Sequence, residues 1–180
     1  LNPLGPFPNA SHFQLTTGSN GSSITDNFGE QTPRFRGSPY DGLYIEDGIN
    51  IYQTSDVLVA RNYIRDGDSA NGCGIVAGDS FDGLPGSNIT IQDNTLIRTS
   101  HCGIGIVGGT GHIVRGNKIL DPNFVGDSGS SGIQVWDWRG LGTCSSISVR
   151  RNIVSNLMPG GYYNDYWDGS GRPSQYRCRN

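Results

Sequence analysis

The sequence predicts an all-β chain wound into about five to six stacked parallel coils, and three observations carry that prediction. The first is composition. Helix formers are scarce, with four Ala, ten Leu, two Glu, one Lys and one Met, whereas Ile, Val and Thr number 35 of 180 residues and suit a pleated, half-buried surface. The second is a recurring piece: Gly48-Ile-Asn-Ile51, Gly74-Ile-Val-Ala77, Gly103-Ile-Gly-Ile106 and Gly132-Ile-Gln-Val135. The third is a different piece that alternates with it, in which two short apolar-alternating runs flank an asparagine. It appears as Val57 to Ile64 around Asn62, Ile89 to Leu96 around Asn94, His112 to Ile119 around Asn117, and Ile147 to Val154 around Asn152.

Each element follows from this pattern. The Ile of the first piece recurs at 49, 75, 104 and 133, steps of 26, 29 and 29 residues, a period that belongs to stacked repeats. Apolar residues at alternate positions give every strand one face that must turn inward. No single coil can bury that face, so coils about 4.8 Å apart pair each strand in parallel with its equivalents above and below. Asparagine at the corner tolerates left-handed backbone and can bond to the equivalent amide one coil away. Asn62, Asn94, Asn117 and Asn152 are therefore expected to form a ladder. An all-β sandwich is the other fold this composition admits, and the strict alternation of the two pieces favours coils.

At these residues, over roughly Asp41 to Asn156, the chain resembles the right-handed parallel β-helix repeat proteins of the pectate-lyase-like group, which includes polysaccharide lyases, glycoside hydrolases, epimerases and phage tailspikes. The resemblance implies a single-stranded right-handed parallel β-helix over 41–157. It does not carry over catalytic residues: the Asp-Asp pair and Gly-His-Gly motif of the resembling polygalacturonases are missing, and the nearest stretch is His101-Cys-Gly-Ile-Gly105. Residues 1–40, rich in Gly, Ser, Pro and Asn, read as an irregular leading segment. Residues 158–180, with Tyr162, Tyr163, Tyr166 and Trp167, read as an aromatic tail that caps the last coil and hides its strand edge.

The net charge of -3, with no basic run or stripe, argues against nucleic acid. Apolar stretches of only four or five residues argue against a membrane span. A chain beginning at Leu1 reads as a processed product or a fragment. Four cysteines without a zinc spacing, and sequons at Asn9, Asn20 and Asn88, lean toward an extracellular or virion-surface location. Cys73 and Cys102, two residues before the repeated Ile, are expected as stacked, inward-facing free thiols. A Cys144–Cys178 bridge would pin the tail.

Stacking in register turns equal offsets from the repeated Ile into columns. One residue after it come Asn50, Val76, Gly105 and Gln134, and three after it Tyr52, Gly78, Val107 and Trp136, both pointing outward. They describe a shallow groove with an aromatic wall. Four residues after it come Gln53, Asp79, Gly108 and Asp137. Asp79 and Asp137 are two coils apart, roughly 9 to 10 Å, near the spacing of inverting glycosidases. The expected site thus has Asp79 and Asp137 as acid and base, with Tyr52, Asn50, His101, Gln134, Trp136, Trp138 and Arg139 binding sugar. The competing reading makes Asp79, Asp82 and Asp137 ordinary turn residues. His101 and Glu46 share a third outward column.

A lyase would need an arginine or lysine base, and often Ca²⁺ held by clustered acids. Arg61, Arg65, Arg98, Arg115 and Arg139 are available with Asp66, Asp68, Asp79 and Asp82, but no spacing among them defines a site. No cofactor and no metal site is expected, Ca²⁺ being the one ion the lyase reading would add. Two function classes stay open: a secreted, polysaccharide-cleaving hydrolase, and a noncatalytic glycan-binding or structural module, monomeric or a tailspike-like homotrimer. The expected partner in both is a polysaccharide.

Overall fold

The computed structural model describes residues 10–30, 45–67, 72–80, 83–99, 101–121, 131–158 and 160–179. Strand-corner-strand segments repeat along them. The first coil holds β1 (Ala10–Leu15), β2 (Ser23–Thr25) and β3 (Phe28–Glu30), and the second β4 (Ile45–Tyr52), β5 (Leu58–Ala60) and β6 (Tyr63–Arg65). The third holds β7 (Cys73–Asp79), β8 (Thr90–Gln92) and β9 (Thr95–Ile97), and the fourth β10 (Cys102–Ile106), β11 (Ile113–Arg115) and β12 (Lys118–Asp121). The fifth holds β13 (Ser131–Val135), β14 (Ser148–Arg150) and β15 (Ile153–Asn156), and β16 (Tyr166–Trp167) follows in the tail.

Equivalent strands stack into three parallel sheets, in the orders β1-β4-β7-β10-β13-β16, β2-β5-β8-β11-β14 and β3-β6-β9-β12-β15. The path from β1 to β13 makes four turns, so the solenoid is at the short end of what the repeats suggested. Its first coil begins at Ala10, inside the stretch read as irregular. Phe13, Ile49, Ile75, Ile104 and Ile133 are in register across the first sheet, as the repeat spacing implied. The core is the inward column of each sheet, including Ile49, Ile75, Ile104, Val59, Ile91, Val114, Ile64, Leu96 and Ile119, each at most 2 % exposed.

The corner between the second and third sheets carries the asparagine ladder, which extends one coil further than expected, to Asn27. The backbone N–H and Nδ2 of Asn62 both donate to Asn94 Oδ1, at 2.9 Å each, and Asn94 repeats this toward Asn117 at 3.0 and 2.9 Å. The second hydrogen of each amide reaches the previous coil, Asn62 to Ile24 O, Asn94 to Val59 O and Asn117 to Ile91 O. One correction concerns the backbone. The left-handed residue of this corner is the one preceding each asparagine: Asp26, Arg61, Asp93, Gly116 and Arg151 have φ of 61, 55, 56, 66 and 54°. The asparagine is selected for its amide, which ties three coils together, and its neighbour takes the strained turn.

A second buried polar group, His112, joins the first and second sheets. Its Nδ1 accepts from Ile89 N–H at 3.1 Å and its Nε2 donates to Gly108 O at 3.0 Å. That pairing fits the neutral ring, and burial holds its pKa down at about 4.

Asn94→Leu removes both acceptor and donor from the centre of the ladder and orphans the buried Asn62 N–H. The expected loss is about 2 to 4 kcal/mol in chemical denaturation, larger than for the same change at the end of the ladder, Asn152.

Candidate functional site

The groove-bearing face is the outer side of the first sheet, and its shape depends on the glycine before each repeated Ile. A Cβ at Gly103 would sit 2.4 Å from Ile119 Cγ2 and 2.7 Å from Gly132 O, and one at Gly48 2.7 Å from Ile64 Cγ2 and 2.6 Å from Gly74 O. These glycines therefore face inward, as the Ile that follows does, and simple alternation breaks between them. Everything before the glycine changes side. The column of Asp47, Cys73 and Cys102, expected to point inward, lies outside the main core, and Cys73 and Cys102 pack with Val76 and Val107 in a separate cluster.

That reversal also overturns the expectation of free thiols. Cys73 and Cys102 form a disulfide between adjacent coils, with Cα atoms 4.4 Å apart, at the short end of what a bridge accepts. Gly105 leaves room for it, since a Cβ there would lie 3.2 Å from Cys73 Sγ. The tail bridge Cys144–Cys178 forms as expected.

Along this face runs a cavity of about 680 Å³ lined by residues that include Glu46, Asp47, Cys73, Val76, Asp79 and His101 from the second to fourth coils and Gln134, Trp136, Trp138, Trp167 and Arg172 from the last coil and tail. Trp136 and Trp138 extend the last repeat, their N–H groups donating to Ile106 O and Val107 O. Trp167 comes from the tail strand β16, paired to β13 through Gln134, and its ring meets Trp136 at 5.5 Å between centroids, tilted by 58°. The Arg172 guanidinium lies 5.6 Å above the Trp136 ring. Tail and last coil thus build one aromatic wall.

Toward the second and third coils, Asn50 joins two carboxylates. Its Nδ2 donates to Asp47 Oδ2 at 3.0 Å and approaches Asp79 Oδ2 at 3.4 Å, so these oxygens are no further apart than the two contacts laid end to end. Asp79 Oδ1 accepts from Ser80 N–H, and Asp47 Oδ1 from Cys73 N–H. Burial raises the Asp47 pKa to about 7, assisted by the negative charges of Glu46 and Asp79 and opposed by the Cys73 and Asn50 bonds. Near neutral pH this carboxyl can both give and take a proton. Sequence reasoning missed it because alternation placed Asp47 inside.

Of the expected site residues, Asp79, His101, Gln134, Trp136 and Trp138 line the cavity, and Asn50 bonds two of its acids. Asp137 does not. It is 1 % exposed, and its carboxylate accepts from Leu141 N–H and Thr143 N–H at 3.2 and 3.0 Å, closing the turn after the strand. The Asp79–Asp137 pairing is therefore corrected, with Asp137 a turn residue. Tyr52 and Arg139 are not among the lining residues, and Arg139 stacks on Trp138 at 5.1 Å. The arginines considered for a lyase lie elsewhere: Arg61, Arg65 and Arg98 pair with Asp26, Glu30 and Asp66, and Arg115 bonds Gln92. Asp68 and Asp82 lie outside the described residues. Among the described residues, no group of three or more His, Cys, Asp or Glu is placed to hold a metal ion.

The stacked parallel coils agree with a family comparison in which the right handed beta helix region matches residues 9–154. The chain belongs to the right-handed β-helix family. Searches of curated proteins and of solved structures return no match. For this β-helix protein the family settles the winding, and the site rests on the geometry above.

The pH response separates His112 from Asp47. His112 falls from the usual 6.5 to about 4 on folding, so its stabilising contribution is complete above pH 6.5 and is lost as pH falls toward 4. Asp47 rises from 3.8 to about 7, so its contribution is complete below about pH 4 and is lost as pH rises toward 7. The two slopes oppose each other between pH 4 and 6.5. In Asp47→Asn the opposing slope is gone, and stability should climb with pH across that window, by up to about 3 kcal/mol from His112 and further from His12, whose pKa burial also lowers, read from denaturation midpoints. The titration of Asp47, followed by carboxyl carbon NMR, should centre near 7 and shift downward in Asp79→Asn, where one repelling charge is removed.

Proposed function

We propose that this β-helix protein binds a polysaccharide along the outer groove of its first sheet and hydrolyses it, working outside the cell or on a virion surface. The observation that carries the reading is the Asn50-bridged pair Asp47 and Asp79 facing the wall of Trp136, Trp138 and Trp167. Tryptophan faces pack on the apolar faces of pyranose rings, and two carboxyl groups within reach of one glycosidic bond are what its hydrolysis requires. Asp47, held largely by burial near a pKa of 7, supplies the proton to the leaving oxygen. Asp79 supplies the second carboxylate. Their spacing is shorter than the two-coil separation of Asp79 and Asp137 and leaves little room for an intervening water, so the product would retain its anomeric configuration. Two disulfides, one between coils and one holding the tail, support an oxidising compartment.

The second reading, a glycan-binding module without cleavage, draws on Asp137, whose carboxylate is committed to its own turn. Incubation with a panel of polysaccharides, followed by size analysis, separates the two. Hydrolysis predicts shortening of one glycan, reduced on the order of 10²- to 10⁴-fold in Asp47→Asn and in Asp79→Asn, while Trp136→Ala weakens binding itself. Binding without shortening supports the module, and cleavage unaffected by either Asp change rules out this pair.

A further inference from the structure

The balance of charge and hydrogen-bonding groups in the groove narrows what it can hold. Asp47 and Asp79 converge on Asn50 at its floor, and Glu46 lines the same side. The one arginine or lysine among the described lining residues is Arg172, which lies over the Trp136 ring. A carboxylate brought to the floor would meet Asp79, and Asp47 whenever that group is ionised, at the reduced dielectric of a partly buried site, where like charges repel far more strongly than in water. The remaining polar groups ask for a different ligand. Gln134 lines the cavity, is 4 % exposed, and its Nε2 has no hydrogen-bond partner. Trp136, which also lines the cavity, likewise has an unpartnered Nε1, and the Oδ1 of Asn50, the residue that joins Asp47 and Asp79, is unpartnered too. Two unpartnered donors and one unpartnered acceptor match hydroxyl groups, which can serve as either, whereas a carboxylate only accepts.

From this we infer that the groove selects a glycan without acidic groups, its hydroxyls meeting Gln134 and Trp136 and its rings covering the tryptophans, while Asp47 and Asp79 turn uronate chains away. The inference rests on the glycan reading of the site. It assigns the substrate class by repulsion as well as by fit.

The test is equilibrium binding by calorimetry with 1 mM chelator at low salt, using mannan, arabinan, xyloglucan and chitin oligosaccharides against oligogalacturonate and oligoalginate. A neutral glycan that binds is then oxidised at its primary hydroxyls to the carboxylate form, and a portion is methyl-esterified. The expected result is binding of at least one neutral glycan and a loss of at least tenfold on oxidation. Esterification should restore affinity, and the loss should shrink in 0.5 M salt and in Asp79→Asn. Uronate chains that bind as tightly as the neutral ones, or an oxidised glycan that binds undiminished, would overturn the inference and leave the glycan reading intact. If no member of the panel binds, the glycan reading falls and this inference with it.

Discussion

The structure depends on one constraint: a coil of this chain cannot bury its own apolar face, and only exact stacking of coils closes the core. A slip of a single residue would turn a whole column of Ile and Val to water, so something must hold the register where strands of three residues cannot. The asparagine ladder does this. Each amide accepts two N–H groups from the coil before it and donates to both neighbours, so a displaced coil would leave several buried polar groups unsatisfied at once. Hydrophobic stacking supplies the stability, and the ladder makes it specific.

The second determinant is the inward glycine at the start of each long strand. Without a Cβ it lets the backbone of one coil lie close against the next and bends the chain so that two consecutive residues face the core. The residues before it are thereby delivered to the outer surface. Three features of the site follow from that bend: the place of Cys73 and Cys102 in a buried cluster outside the main core, the approach of Asp47 to Asn50, and the N–H of Cys73 that steadies Asp47. The disulfide couples the third and fourth coils where the cavity floor lies, so the same reversal that creates the floor also braces it.

The wall of the cavity has a different origin. Trp136 and Trp138 continue the last repeat, but Trp167 and Arg172 belong to the tail, which adds β16 to the first sheet and is held by Cys144–Cys178. Covering the sheet edge and completing the aromatic wall are thus one structural act. Asp47 lies in the second coil, away from that closure, and its pKa is raised first by its own burial and then by the negative charges of Glu46 and Asp79.

What the sequence by itself determined is everything that depends on periodicity. The parallel stacking, the register of Ile49, Ile75, Ile104 and Ile133, the ladder residues and the aromatic character of the groove were all legible, because each coil repeats the same local problem and solves it with the same residue types. The tertiary structure decided what breaks the period. Alternation assigned Asp47 and the two cysteines to the core, and a bend at glycine reversed them. Equal spacing paired Asp79 with Asp137, and a turn closed by Leu141 and Thr143 took Asp137 away. Trp167 and Arg172 carried no repeat signal, since their place depends on how a nonrepeating tail folds back on the last coil. Local patterns encode strands that face the same way, whereas a cavity is formed where separate segments meet, and that meeting is written only in three dimensions.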